Sequence, residues 1–159
     1  MAEVLQSLLG VGASVPHISL TDQDGASVSL ADYAGKKLVV FFYPKDNSGS
    51  CLKEAVSLKE GYEALQQAGY EVVGVSPDSE KSHKNFITKR ELPFRLISDP
   101  ETKLIQAMGA WGEKKMYGKT YMGLLRSTFL VDEKGVITHV IPKVKTADHA
   151  NQILDLLEA

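Results

Sequence analysis

A single cysteine, Cys51, closes the segment Phe41-Phe42-Tyr43-Pro44-Lys45-Asp46-Asn47-Ser48-Gly49-Ser50-Cys51. The segment leaves an apolar run, Leu38 to Phe42, that suits a strand buried on both faces. It enters a stretch, Cys51 to Gln67, in which Ala55, Leu58, Tyr62 and Leu65 recur at helical spacings of three and four. Cys51 is therefore predicted in the first turn of a helix that follows a buried strand. Free backbone N–H groups and the positive end of the helix dipole gather at such a turn. A sulfur there is drawn toward its anionic, nucleophilic form, and the same N–H groups can hold a polar oxygen brought against it. A purely structural reading also fits the position. Cys51 is then a small buried hydrophobe, and Ser48 or Ser50 merely caps the helix.

Other chemistries find less support. One cysteine in 159 residues excludes an intrachain disulfide and a multi-cysteine zinc site. His17, His83, His139 and His149 are scattered singly, with no ligand spacing. No metal or cofactor is expected, and a surface or capping role is expected for each histidine. Gly10-Val11-Gly12 lacks the third glycine and the preceding strand of a dinucleotide loop. Ser48-Gly49-Ser50 lacks the pattern of a hydrolase elbow.

The elements that must position Cys51 alternate between strand and helix. Glu71 to Val75 reads as a second buried strand. A helix capped by Asp78 or Ser79 runs to about Arg90, with Pro93 beyond it. Arg95 to Ile97 reads as a brief strand and Thr102 to Met108 as a short helix. Ser127 to Val131 and Val136 to Ile141 flank Asp132-Glu133-Lys134-Gly135 as a hairpin. Ala147 to Leu157 forms a closing amphipathic helix with Ile153, Leu154 and Leu157 inward. Ile18 to Leu20 and Val28 to Leu30 flank Asp24-Gly25, a second hairpin signal. The sum is a mixed α/β sheet in one domain, residues 1–159. Trp111 to Leu125 shows neither period and is expected to be a long loop, and long loops are often functional. Its Met116, Tyr117, Tyr121 and Met122 either pack beneath the loop or form a rim or docking surface.

Eighteen Lys and Arg against twenty Asp and Glu leave a net charge of -2, which argues against a general nucleic-acid binder. No apolar run approaches the ~18 residues of a membrane span. Met1 to Gly10 carries no Lys or Arg and makes a poor secretory signal, so a cytoplasmic location is expected.

Pro44, Ser48 and Cys51 resemble the Pro-x-x-x-Thr/Ser-x-x-Cys signature of peroxiredoxins. Three further stretches are similar to one branch, the peroxiredoxin Q or bacterioferritin comigratory protein subfamily. They are Tyr-Pro-Lys-Asp-Asn (43–47) with Lys-Glu-Ala (53–55), Gly-Val-Ser-Pro-Asp-Ser (74–79), and Trp-Gly-Glu-Lys-Lys-Met-Tyr-Gly-Lys-Thr-Tyr-Met-Gly (111–123). The likeness runs in order over about Val15 to Ala159. It implies a thioredoxin-like fold of peroxiredoxin type, a central mixed sheet flanked by helices with an N-terminal β-hairpin extension. It also implies thiol-dependent reduction of hydroperoxides. By the same resemblance Cys51 is the nucleophile and Ser48 offers the peroxide a hydroxyl. Pro44 shields the sulfur, and Arg126 holds the thiolate and stabilises the transition state. Without the resemblance Arg126 reads as a solvated charge at a strand edge.

The chain departs from that subfamily at the site itself. The usual Thr-Pro-Gly-Cys-Thr is Ser48-Gly49-Ser50-Cys51-Leu52 here. A resolving cysteine would stand at Val56 or on the helix spanning Ser79 to Arg90, and neither place holds one. A one-cysteine variant is implied, recycled by thioredoxin, glutaredoxin or glutathione, and a monomer or weak homodimer is expected. The departures also admit a redox-sensing module with an oxidisable thiol and poor turnover. A thioredoxin-fold scaffold that does not use Cys51 is a third reading.

Overall fold

The computed structural model describes residues 8–158, apart from the side chain of Met116. Most of the Met1–Gly10 stretch therefore lies outside the described residues. Seven strands form one mixed sheet. The central strand β3 (Lys37–Phe42) pairs in parallel with β4 (Tyr70–Ser76), and β4 in parallel with β5 (Arg95–Ser98). On the other side, β3 pairs antiparallel with β8 (Ser127–Val131), which turns back into β9 (Ile137–Ile141). The expected N-terminal hairpin is present, but its strands sit closer to the turn than Ile18–Leu20 and Val28–Leu30: they are β1 (Leu20–Asp22) and β2 (Ser27–Val28), and Leu30 opens a 3-10 turn. The hairpin joins the main sheet because β1 also pairs with β5.

The unbroken apolar run in β3 follows from its position. Val40 and Phe42 pack into a cluster with Val73, Ile105 and Phe129. Val39 and Phe41, which point the other way, pack with Leu58, Leu65, Phe86 and Ile153. Both faces are covered, so neither can be polar. Helix α4 (Lys103–Ala107) serves the first cluster. The second is covered by α1 (Gly49–Glu60), α2 (Tyr62–Gln67), α3 (Glu80–Arg90) and α5 (His149–Glu158).

Two elements differ from the sequence reading. The helix expected from Cys51 to Gln67 breaks at Gly61 into α1 and α2. A Cβ on Gly61 would lie 2.3 Å from the Ala150 Cβ, so glycine there lets α5 approach. The long loop expected from Trp111 to Leu125 is instead a hairpin arm, β6 (Trp111–Met116) and β7 (Lys119–Leu124), forming a two-stranded sheet of its own. Its turn is Tyr117-Gly118, with φ of 52° and 77°. Two successive left-handed residues match the twist of a tight hairpin. Only the base of the arm meets the core, with Leu124 in the first cluster and Trp111 packed against it, so no alternation of apolar and polar residues marks the rest. Tyr117, Tyr121 and Met122 are exposed. No helix among the described residues is long and apolar enough to cross a membrane.

Candidate active site

Cys51 lies in the first turn of α1, just beyond the C-terminal end of β3, and is 1% exposed. The first helical bond is donated by the Leu52 N–H to the Ser48 carbonyl, 2.8 Å. The N–H groups of Gly49, Ser50 and Cys51 therefore precede the ladder. Ser48 occupies the cap position without capping, and no acidic residue sits in the first turn to offset the dipole. The turn is thus left polarised toward an incoming oxygen or anion.

Arg126, between β7 and β8, reaches this turn from 75 residues away. Its Nη2 donates to the Cys51 sulfur at 3.1 Å and to the Ser50 hydroxyl at 2.9 Å. Its Nη1 donates to Glu54 Oε1 at 2.5 Å. Glu54, one turn beyond Cys51 on α1, is completely buried. Burial pushes its carboxyl up to about 7, against the opposing pull of the Arg126 guanidinium. Lys114 of the arm is lowered, first by burial and then by the charge of Arg126, with the Cys51 thiolate opposing. A second cation therefore stands within electrostatic reach of the sulfur.

The structure thus brings Cys51 and Arg126 together directly. Ser48 is adjacent in chain, but its hydroxyl donates to the Lys45 carbonyl at 3.1 Å rather than to the sulfur. Pro44 is half-buried at the start of the loop that carries them. Ser50, considered from sequence only as a cap, instead orients Arg126. Glu54 lay within the Lys-Glu-Ala stretch, but its role depends on an arginine that no local pattern connects to it.

The loop from Tyr43 to Ser48 is anchored through Asp46. The Tyr43 hydroxyl donates to Asp46 Oδ1 at 2.6 Å and the Ser82 hydroxyl to Oδ2 at 2.8 Å. His83 sets Nδ1 2.8 Å from Oδ2 and Nε2 2.9 Å from the Ile97 carbonyl oxygen. The Asp46 N–H donates to Asp78 at 2.8 Å. Asp46, Asp78 and His83 offer ligand atoms within 4.8 Å of one another, and hydrogen bonds already engage all three. His83 and His149 are both fully buried, which corrects the expectation of surface or capping roles. A lone histidine carries no sequence signal for this, because its partners come from other elements. A cavity of about 240 Å³ beside Val15, Tyr33, Lys36 and Asp132 lies at the opposite end of β3 from Cys51.

Comparison with known proteins follows the same lines. A family model described as the AhpC/TSA family matches residues 11–140. The chain is 41% identical over 151 residues to a putative peroxiredoxin bcp of Haemophilus influenzae, covering 95% of this chain and 97% of that one. It is 40% identical over 148 residues to peroxiredoxin Bcp of Bacillus subtilis, covering 93% and 94%. A solved structure of the Xanthomonas campestris bacterioferritin comigratory protein, described for its alkyl peroxide reduction activity, superposes with a TM-score of 0.85. The two are 37% identical, over 94% of this chain and 96% of that one. A Xylella fastidiosa PrxQ mutant superposes with a TM-score of 0.87 at 32% identity, over 94% and 96%.

Proposed function

This chain belongs to the AhpC/TSA family and is a peroxiredoxin, a thiol-dependent peroxidase, and from that premise we propose that Cys51 is its peroxidatic sulfur, with Arg126, Ser48 and Pro44 completing the site. The observation that carries the assignment is the Arg126 guanidinium 3.1 Å from a sulfur at an uncapped helix start. The thiolate attacks the terminal oxygen of ROOH. An S–O bond forms, the O–O bond breaks, and the departing alkoxide takes a proton to leave as ROH. Cys51 is then a sulfenic acid. Arg126 offers a fixed positive charge to the thiolate and to the charge developing on the oxygens. The N–H groups of the first turn supply further donors. Ser48 is positioned to exchange its bond with Lys45 for one to the peroxide, and Pro44 restricts water at the sulfur.

Recycling is assigned to an external thiol. The chain holds one cysteine, and Val56 stands at one subfamily resolving position. A thiolate from glutathione, glutaredoxin or thioredoxin attacks the sulfenic sulfur and expels water. A second thiol then splits the mixed disulfide and restores Cys51. The test is steady-state peroxide consumption with a reducing system, comparing the parent with Cys51→Ser. Many turnovers per subunit lost entirely in the variant support the assignment. A single oxidation per subunit would favour a redox sensor instead, and turnover retained by Cys51→Ser would overturn the role of Cys51.

A further inference from the structure

Behind Arg126, away from the sulfur, the site continues into a fully buried polar pair. His149, the first residue of α5, has no exposed surface, and neither does Glu54. The His149 Nδ1 lies 2.9 Å from Gln152 Oε1. That Gln152 atom also accepts the Lys145 N–H, while its Nε2 donates to the Lys143 carbonyl. It is therefore an oxygen that only accepts, and Nδ1 must carry a proton. The Nε2 lies 2.8 Å from the Thr128 hydroxyl. In a neutral ring Nε2 has a lone pair, and Thr128 donates to it.

Glu54 Oε2 lies 3.6 Å from this same Nε2 and has no hydrogen-bond partner. An ionised oxygen facing an imidazole lone pair in a dry interior is unfavourable. The same oxygen carrying a proton is not. The geometry thus places one proton on this pair. Its other carboxyl oxygen, Oε1, is held by Arg126, whose opposite nitrogen holds the Cys51 sulfur.

We propose that His149 is a positioning residue of the peroxidatic centre: it biases Glu54 toward its neutral form and so leaves the charge of Arg126 available to Cys51. With Glu54 neutral, Arg126 faces the sulfur uncompensated. With Glu54 ionised, the carboxylate divides that charge, and less of it is left for the charge developing on the reacting peroxide oxygens. Burial supports this order of events, since it raises Glu54 to about 7 and lowers His149 to about 4. The groups around Glu54 are few. Arg126 and His149 touch it, and Cys51 lies one turn back on its own helix. Lys114 of the arm faces Arg126 and Cys51 electrostatically. Asp148, just before α5, is exposed to solvent. The facing side chain of β8 is the neutral Thr128.

Two readouts test this on the intact protein. The first is infrared titration of a buried carboxylic-acid C=O band from pH 5 to 9, which does not depend on peroxidase activity. The parent is expected to show a band that is lost near neutral pH and is absent in Glu54→Gln. In His149→Gln an amide N–H can donate to Oε2, where the neutral imidazole offers none. Its band should vanish about one pH unit lower, a tenfold change in the ionisation constant. The second is the rate of Cys51 oxidation by hydrogen peroxide, normalised to the thiolate fraction. It rests on Cys51 being the reacting sulfur. It should fall through the same midpoint in the parent, lose that inflection in Glu54→Gln, and follow the lower midpoint in His149→Gln. A band midpoint unmoved in a folded His149→Gln would overturn the proposal. So would a normalised rate that ignores the band in a protein that does reduce peroxide. An intact infrared titration with no peroxide reaction would instead indict the assignment of Cys51.

Discussion

The guanidinium of Arg126 lies 3.1 Å from the Cys51 sulfur across 75 residues of chain. Neither residue could place itself. Cys51 is fixed because β3 is buried on both faces and α1 starts one loop beyond it. Arg126 is fixed because β8 pairs with β3 in a register that sets Ser127 opposite Phe42. The meeting of cation and sulfur is therefore a product of sheet register, and register in a buried sheet is tightly specified.

Replacing that cation should be costly to rate. Losing one transition-state donor typically slows a reaction ~10²–10³-fold. Arg126→Ala is expected to slow Cys51 oxidation by peroxide by that order in stopped-flow measurements. Arg126→Lys should recover little, because one ammonium cannot span the sulfur and Glu54 together. A rate within threefold of the parent in Arg126→Ala, about 0.7 kcal/mol, would remove Arg126 from the mechanism.

The two serines should separate by role. Ser48→Ala is expected to slow peroxide reduction ~10²-fold or more if its hydroxyl turns from Lys45 to the substrate. Ser48→Thr should be tolerated, since the hydroxyl is kept. Ser50→Ala removes one bond to Arg126 and leaves two, so a loss of roughly tenfold or less is expected. Rate constants for the three variants under identical conditions decide the order.

Stability should carry two opposed pH slopes. Glu54 is raised from its ordinary 4.5 to about 7, so between those values the folded chain holds a proton the unfolded chain has lost. Its contribution falls as pH rises through that window, by at most about 3 kcal/mol. His149 is lowered from 6.5 to about 4, so the unfolded chain binds the extra proton there. Its contribution is present above pH 6.5 and is lost as pH falls toward 4. The two slopes largely cancel between about pH 4.5 and 6.5. In Glu54→Gln the His149 slope should stand alone. Denaturant unfolding is expected to show stability rising with pH across that window more steeply than in the parent.

Much of this arrangement is legible in the residues, and what is not has a physical reason. The buried run from Leu38 to Phe42, the Ser79 start of α3 and the Asp132–Gly135 turn are written locally, by period and by cap chemistry. The break at Gly61 is not, because it answers to Ala150, far along the chain. The β6–β7 arm escaped a period-based reading because most of its side chains face solvent. Cys51, Ser48, Pro44 and Arg126 stood out through motif likeness. Ser50, Glu54, His83 and His149 did not, since each takes its part from a partner on another element.

Gly61 offers a check on the packing that holds α5 against α1. An added methyl would overlap the Ala150 Cβ at 2.3 Å. Gly61→Ala should destabilise the protein by roughly 1–3 kcal/mol. Pairing it with Ala150→Gly should recover most of the loss. Thermal unfolding of the single and double variants measures both.

On the reading proposed above, peroxide oxidises Cys51 and a thiol from outside the chain restores it. The most direct measurement is the intact mass of the protein after one equivalent of hydrogen peroxide, with and without glutathione. One oxygen is expected per monomer at Cys51, with conversion to a glutathione mixed disulfide when the thiol is present. Peroxide consumed with no mass gained at Cys51, or quantitative conversion to a Cys51–Cys51 dimer with no mixed disulfide, would contradict it.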